Sequence, residues 1–106
     1  DHWDMVRPET RDRIFPDGYP GIELEHASVI ETSMMMALRP ELVDLAKATH
    51  DGPARFLPYD RYPRPCDEVP ASGVLSLTAG SSAEKGEWLL ADCEAGIVES
   101  IQREFK

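Results

Sequence analysis

The sequence predicts an α/β segment that does not complete a sheet of its own. Three observations predict it. Leu90, Cys93, Ile97, Ile101 and Phe105 recur at helical spacing towards the C-terminus, behind an S-x-x-E capping box at Ser81 and Glu84. Ile30, Met34, Ala37 and Leu38 repeat at i, i+4, i+7 and i+8, which marks a second helix over residues 27–38. Only "HWDMV" (2–6) and "SGVLSLTAG" (72–80) offer strand character, the latter as a strand or an extended turn. Two strands make no sheet that two amphipathic helices can cover. The chain also opens Asp-His-Trp-Asp without a methionine, so it is expected to be a later piece of a larger domain and not an independent fold.

Taken in order, "HWDMV" reads as the end of a strand. Pro8 suits the first turn of a short helix, "PETRDRIF", with Glu9 where the helix dipole favours an anion. "PDGYPG" (16–21) is a loop of turn formers. The helix over 27–38 must end near Pro40, because the residue before a proline leaves the helical region. "PELVDLAK" then turns outward. Five prolines between 51 and 70 exclude a central strand or helix there. Phe56, Tyr59 and Tyr62 interleave with them, which leaves the stretch divided between an interface loop and a passive linker. The stripe of the last helix is expected to be core, so that Ile97→Ala would cost about 2–5 kcal/mol in a close-packed site.

Charge and composition exclude several classes. A net charge of −9 argues against a nucleic-acid surface, which needs basic clusters. No stretch approaches the ~18 apolar residues of a membrane span, and no signal-peptide pattern opens the chain, so a cytoplasmic protein is expected. Cys66 and Cys93 form neither a C-x-x-C pair nor a zinc-finger spacing. Cys93 is expected to be a buried free thiol in the last helix, and Cys66 lies in the proline-rich loop.

Chemistry concentrates in "GIELEHASVIETSMMMALRPELV" (21–43), where Glu23, Glu25, His26 and Glu31 crowd the start of the most apolar segment. A buried charge is costly unless it is paired, hydrogen-bonded or metal-bound. His26 stands where loop meets helix. The helix dipole opposes a cation there and the neighbouring carboxylates favour one, a setting that suits proton transfer. The plainer alternative is a histidine that merely caps the helix. Glu31 follows His26 by five residues, about 140° away on an ideal helix. The two side chains can meet only if His26 precedes the helix. His50 lies in the polar loop "ATHDGP" and is expected to be a solvated bystander, and His2, near the chain start, carries no reading of its own. The segment is neither H-E-x-x-H nor a G-x-S-x-G elbow, and no glycine-rich phosphate loop is present.

The run "LEHASVIETSMMMALRPELVDL", followed in order by "LPYDRYP", "PASGVLS", "SSAEKGE" and "GIVESIQREF", closely resembles the C-terminal part of the creatininase (creatinine amidohydrolase) family. "HWDMV" resembles a tryptophan-bearing segment at the edge of that family's pocket. The resemblance implies the C-terminal part of a three-layer α/β/α domain whose amino-terminal portion carries most of the sheet. It implies two divalent metal ions, zinc or manganese, with ligands mainly in that amino-terminal portion and none in this chain. It implies hydrolysis of a cyclic amide such as creatinine to creatine. By the same resemblance His26 is the proton-shuttling histidine and Glu25 the acidic residue beside it. Trp3, Ile22 and Glu23 contact substrate, and Glu31 supports the site from behind. Ile22 stands where creatininase itself carries a tryptophan, and an aliphatic side chain cannot stack on a planar ring as an indole does. The related activities of the family, formamide cleavage and peptide trimming, therefore remain alternatives, as does a non-catalytic interaction segment. The expected partners are the amino-terminal portion, a small amide and further copies in a hexamer, with neither nucleic acid nor membrane.

Overall fold

The computed structural model describes residues 2–105, apart from the side chain of His2. Its framework is three α-helices: α1 (Pro8–Ile14), α2 (Val29–Leu38) and α3 (Ala83–Glu104). Short 3-10 turns lie at His2–Met5, Ile22–Leu24, Pro40–Leu42 and Leu45–Lys47. Among the described residues there is no strand. The segment expected as a strand end at 2–6 is therefore a 3-10 turn. Residues 72–80 are the extended turn of the two readings, joined to the rest by single bonds: Ala54 N–H donates to Leu75 O (2.8 Å) and Leu75 N–H to His26 O (3.1 Å). Without a neighbouring ladder, such isolated bonds do not build a sheet.

α1 starts where expected. Pro8 occupies its first turn, Arg7 before it is extended, and Arg7 N–H donates to the buried Asp92 of α3 (2.9 Å). The other end is held by Lys85, whose Nζ donates to Ile14 O (2.7 Å), satisfying a carbonyl the helix leaves unmatched. Arg13 lies over the Trp88 ring, 3.7 Å from its centroid.

α2 and α3 form the main contact. Gly86 of α3 sits so close to Ser33 of α2 that an added Cβ would run into the Ser33 carbonyl oxygen. A hydrogen in place of a side chain is what permits that approach. Ser33 Oγ accepts from Ser82 N–H (3.2 Å), and Ser33 is fully buried. The buried apolar cluster is Ile14, Val29, Ile30 and Leu89, with Trp3, Tyr19, Met34 and Trp88 packed on its edge.

Two details of α3 differ from expectation. Its N-cap is Ser82, not Ser81: Ser82 Oγ accepts from Lys85 N–H (3.2 Å), while Ser81 Oγ donates to Thr78 O. The buried face is Gly86, Leu89 and Asp92. Leu90 and Cys93 are half-buried, and Ile97, Ile101 and Phe105 are exposed. The close approach at Gly86 turns Leu89 inward, and a shift of one residue rotates the inward face by about 100°. The distal third of α3 thus presents Ile97, Val98, Ile101 and Phe105 outward. The radius of gyration, 15.7 Å, exceeds the ~13 Å of a compact domain of this length.

The proline-rich stretch is pinned at its margins, where Asp51 accepts from Ser72 Oγ (2.7 Å) and Arg61 pairs with Glu68 (2.9 Å). Tyr59 and Tyr62 point outward. Neither cysteine is in a disulfide; Cys93 is half-buried instead of buried, and Cys66 is exposed. No helix of the described residues is long and apolar enough to cross a membrane.

Candidate active site

The turn into α2 builds the site. Ala27 adopts a positive φ of 54°, a conformation that costs an L-residue about 1–2 kcal/mol and that collects at functional positions. This kink leaves His26 outside the helix, which begins at Val29 and not at Ala27. Ser28 secures the kink. Its Oγ bonds to Leu24 O and His26 O (3.1 Å each) and accepts from Ser76 N–H (3.1 Å).

The kink also brings His26 and Glu31 together. Nδ1 of His26 lies 3.9 Å from Glu31 Oε2. That same oxygen accepts from Ala27 N–H in a short hydrogen bond. The carboxylate is therefore held in place beside the imidazole, beyond direct hydrogen-bond distance. His26 itself is exposed, so its other ring nitrogen is open to a reactant.

Glu25 occupies the opposite environment. It is 6% exposed. Oε2 accepts from Ile30 N–H (3.2 Å) at the start of α2, and Oε1 is buried without a partner. Burial pushes its carboxyl up from an ordinary 4.5 to about 7; the Ile30 bond works against this, and the charge of Glu31 adds to it. Adjacent residues thus offer an acid that titrates near neutrality and an accessible imidazole.

Trp3 and Ile22 share a cavity of about 210 Å³, which Asp4, Val6, Arg11, Tyr19 and Ile30 also line. Glu23 is exposed and lies back over Gly21, where an added Cβ would come within 2.6 Å of Oε1. Glu31 faces a different hollow of about 380 Å³, between α2 and the turns that follow it. The residues expected to act together thus fall into two adjoining sets: Glu25, His26 and Glu31 at the kink, and Trp3 and Ile22 in the cavity. Ile30 joins them, since its side chain lines the cavity and its N–H holds Glu25.

A family model described as creatinine amidohydrolase matches residues 3–101. The chain belongs to the creatininase family. A creatinine amidohydrolase from Pseudomonas putida is 43% identical over 105 residues, a match covering 98% of this chain and 40% of the relative. A mutant creatininase complexed with creatine superposes with a TM-score of 0.91 at 42% identity, over 99% of this chain and 42% of that one. A zinc-zinc form of a mutant creatininase gives 0.92 at 42% identity, and a manganese form 0.91 at 42% identity, each over 99% of this chain and 41% of the other. The chain therefore has a creatininase fold over its length and spans about two-fifths of those relatives.

Set against those metal-bearing creatininases, the described residues hold no group of three His, Cys, Asp or Glu side chains able to bind a metal ion. Tyr19 and Arg11 are the cavity residues that sequence reasoning missed. Their signal was faint: Tyr19 is the lone aromatic in "PDGYPG", where every neighbour announces only a turn.

Proposed function

We propose that the chain forms the proton-transfer wall of an amidohydrolase that opens the cyclic amide of creatinine to give creatine. It works with an amino-terminal portion like that of the longer creatininases, and that portion would hold the divalent metal ions. The observation that carries this reading is the kink at Ala27, which sets an exposed His26 beside Glu31 and beside a Glu25 that titrates at about 7.

Hydrolysis adds a water oxygen to the carbonyl carbon and breaks the carbon–nitrogen bond of the ring. The nitrogen leaves only when it gains a proton. His26 takes a proton from the attacking water and delivers it to that nitrogen. Glu31 lies beside the imidazole, 3.9 Å from Nδ1, which leaves Nε2 to face the reaction. Glu25 sets the local charge, and Glu23 meets a polar edge of the substrate. Trp3 and Ile22 contact the ring. The exposed apolar face of distal α3, from Ile97 to Phe105, supports the need for a covering portion.

The aliphatic Ile22 favours a second reading, in which the same groups cleave a formamide or trim a peptide. The assembled protein, supplied with creatinine, an N-formyl amine and a short peptide in parallel, separates the two. Release of creatine from creatinine is the expected result. Turnover of the formyl or peptide substrate alone would reassign the substrate, and no turnover of any would overturn the enzymatic reading.

A further inference from the structure

We infer that Tyr19 is a specificity-determining residue of the cavity, forming with Trp3 the aromatic walls that hold an uncharged planar ring. This rests on the proposed amidohydrolase function and names the residue that selects its substrate.

The cavity of about 210 Å³ is sized for a small ring. Ile22 and Ile30 give it aliphatic surface, which packs on a ring but adds no aromatic contact. Trp3 and Tyr19 are its aromatic lining. The Tyr19 ring is not loose. Phe15 packs against it with ring centroids 5.1 Å apart and planes tilted by 51°, within the range of favourable aromatic pairs. The Arg11 guanidinium lies 5.7 Å from its centroid. A ring held in place loses little freedom when a ligand packs on it, and such preorganisation favours binding.

Charge points the same way. Arg11 and Asp4 are the charged residues that line this cavity, and the Arg11 guanidinium is engaged with Asp12 (3.3 Å) as well as with the tyrosine face. Burial raises the Tyr19 phenol above its ordinary 10.0, with Glu25 and Glu23 adding to the effect and Arg11 opposing it. The phenol therefore stays neutral at physiological pH. An uncharged aromatic wall, in a lining whose cation is already paired and which also holds the Asp4 carboxylate, suits an uncharged ring better than an anion.

The test measures KM and kcat for creatinine in the assembled protein. Tyr19→Leu removes the ring and is expected to raise KM about fivefold to tenfold, more than it lowers kcat, because a ground-state contact is lost. Tyr19→Phe keeps the ring and is expected to raise KM by less. Ile22→Trp introduced into the Tyr19→Leu background supplies an aromatic wall from the neighbouring position. It is expected to recover most of the lost affinity, a rescue that a merely structural role for Tyr19 would not show. KM unmoved by Tyr19→Leu, or no rescue by Ile22→Trp, would overturn the inference while leaving amide hydrolysis intact. Should Tyr19→Leu fail to fold, Ile22→Trp alone decides. A fall in KM of only about twofold supports an aromatic wall already in place, whereas a tenfold fall shows that the cavity lacked one. A wild-type protein without creatinine turnover would fell the proposed function, and this inference with it.

Discussion

The seam between α2 and α3 and the kink that leads into α2 lie a few residues apart and are built on opposite terms. In the seam, Ser33 Oγ is matched by Ser82 N–H, Gly86 admits the facing backbone, and Leu89 is fully enclosed. At the kink, Ala27 takes an unfavourable φ, Glu25 keeps an unmatched buried oxygen, and His26 is left in the open. Native chains relax local rules where chemistry requires it and support the exception from a well-formed neighbour. The seam is that support. The kink is where the uncommitted groups are.

Substitutions should separate the two regions. The largest stability effect belongs to the seam: Leu89→Ala is expected to cost about 2–5 kcal/mol, read as a lower urea midpoint of the assembled protein. Activity per folded molecule should change little, and a variant that kept full stability would show that the seam is not the support described. Gly86→Ala, whose Cβ meets backbone and not a flexible tip, should cost about 1–3 kcal/mol.

At the kink the expected effect depends on pH. Folding raises Glu25 from 4.5 to about 7, so across that interval the folded state keeps a proton the unfolded chain has released. Its contribution to stability is full below about pH 4.5, declines by up to ~3 kcal/mol as pH rises to 7, and is level above that. Glu25→Gln cannot ionise. Relative to wild type it should gain stability progressively from pH 4.5 to 7, measured as the difference between the two unfolding free energies. A difference flat with pH would mean that Glu25 titrates normally.

The smallest effect is expected on distal α3. If an amino-terminal portion covers its exposed apolar face, Ile97→Ala should cost about 1–2 kcal/mol in the assembled protein. No loss at all would leave that face in water.

How far the sequence was legible follows the same division. The condition for His26 and Glu31 to meet could be read, because a five-residue spacing requires the histidine to lie off the helix; that they do meet could not. The three helices could be read from period, proline and capping residues. The inward face of α3 could not. Leu89 and Leu90 are adjacent leucines, and only the contact of Gly86 with Ser33 decides between them. The cap slipped by one residue for a similar reason, since Ser81 and Ser82 are chemically alike and tertiary contacts choose. Tyr19 was hidden because "PDGYPG" fixes a turn without saying what the turn leans on. The unmatched oxygen of Glu25 follows from packing, which no spacing in the sequence records.

The proton transfer assigned to His26 is tested most directly by kcat for creatinine in the assembled protein, compared among wild type, His26→Ala and His26→Gln. Folding stability and metal content should be measured on the same samples. General acid–base groups contribute about 10²–10⁴-fold, so His26→Ala should lower kcat by that factor. His26→Gln should be nearly as poor, because an amide donates hydrogen bonds but does not relay protons. Stability and metal content should be unchanged, since His26 is exposed and the metals are assigned elsewhere. Near-normal turnover in either variant would remove His26 from the reaction, and loss of metal in step with activity would make it a ligand instead of a proton carrier.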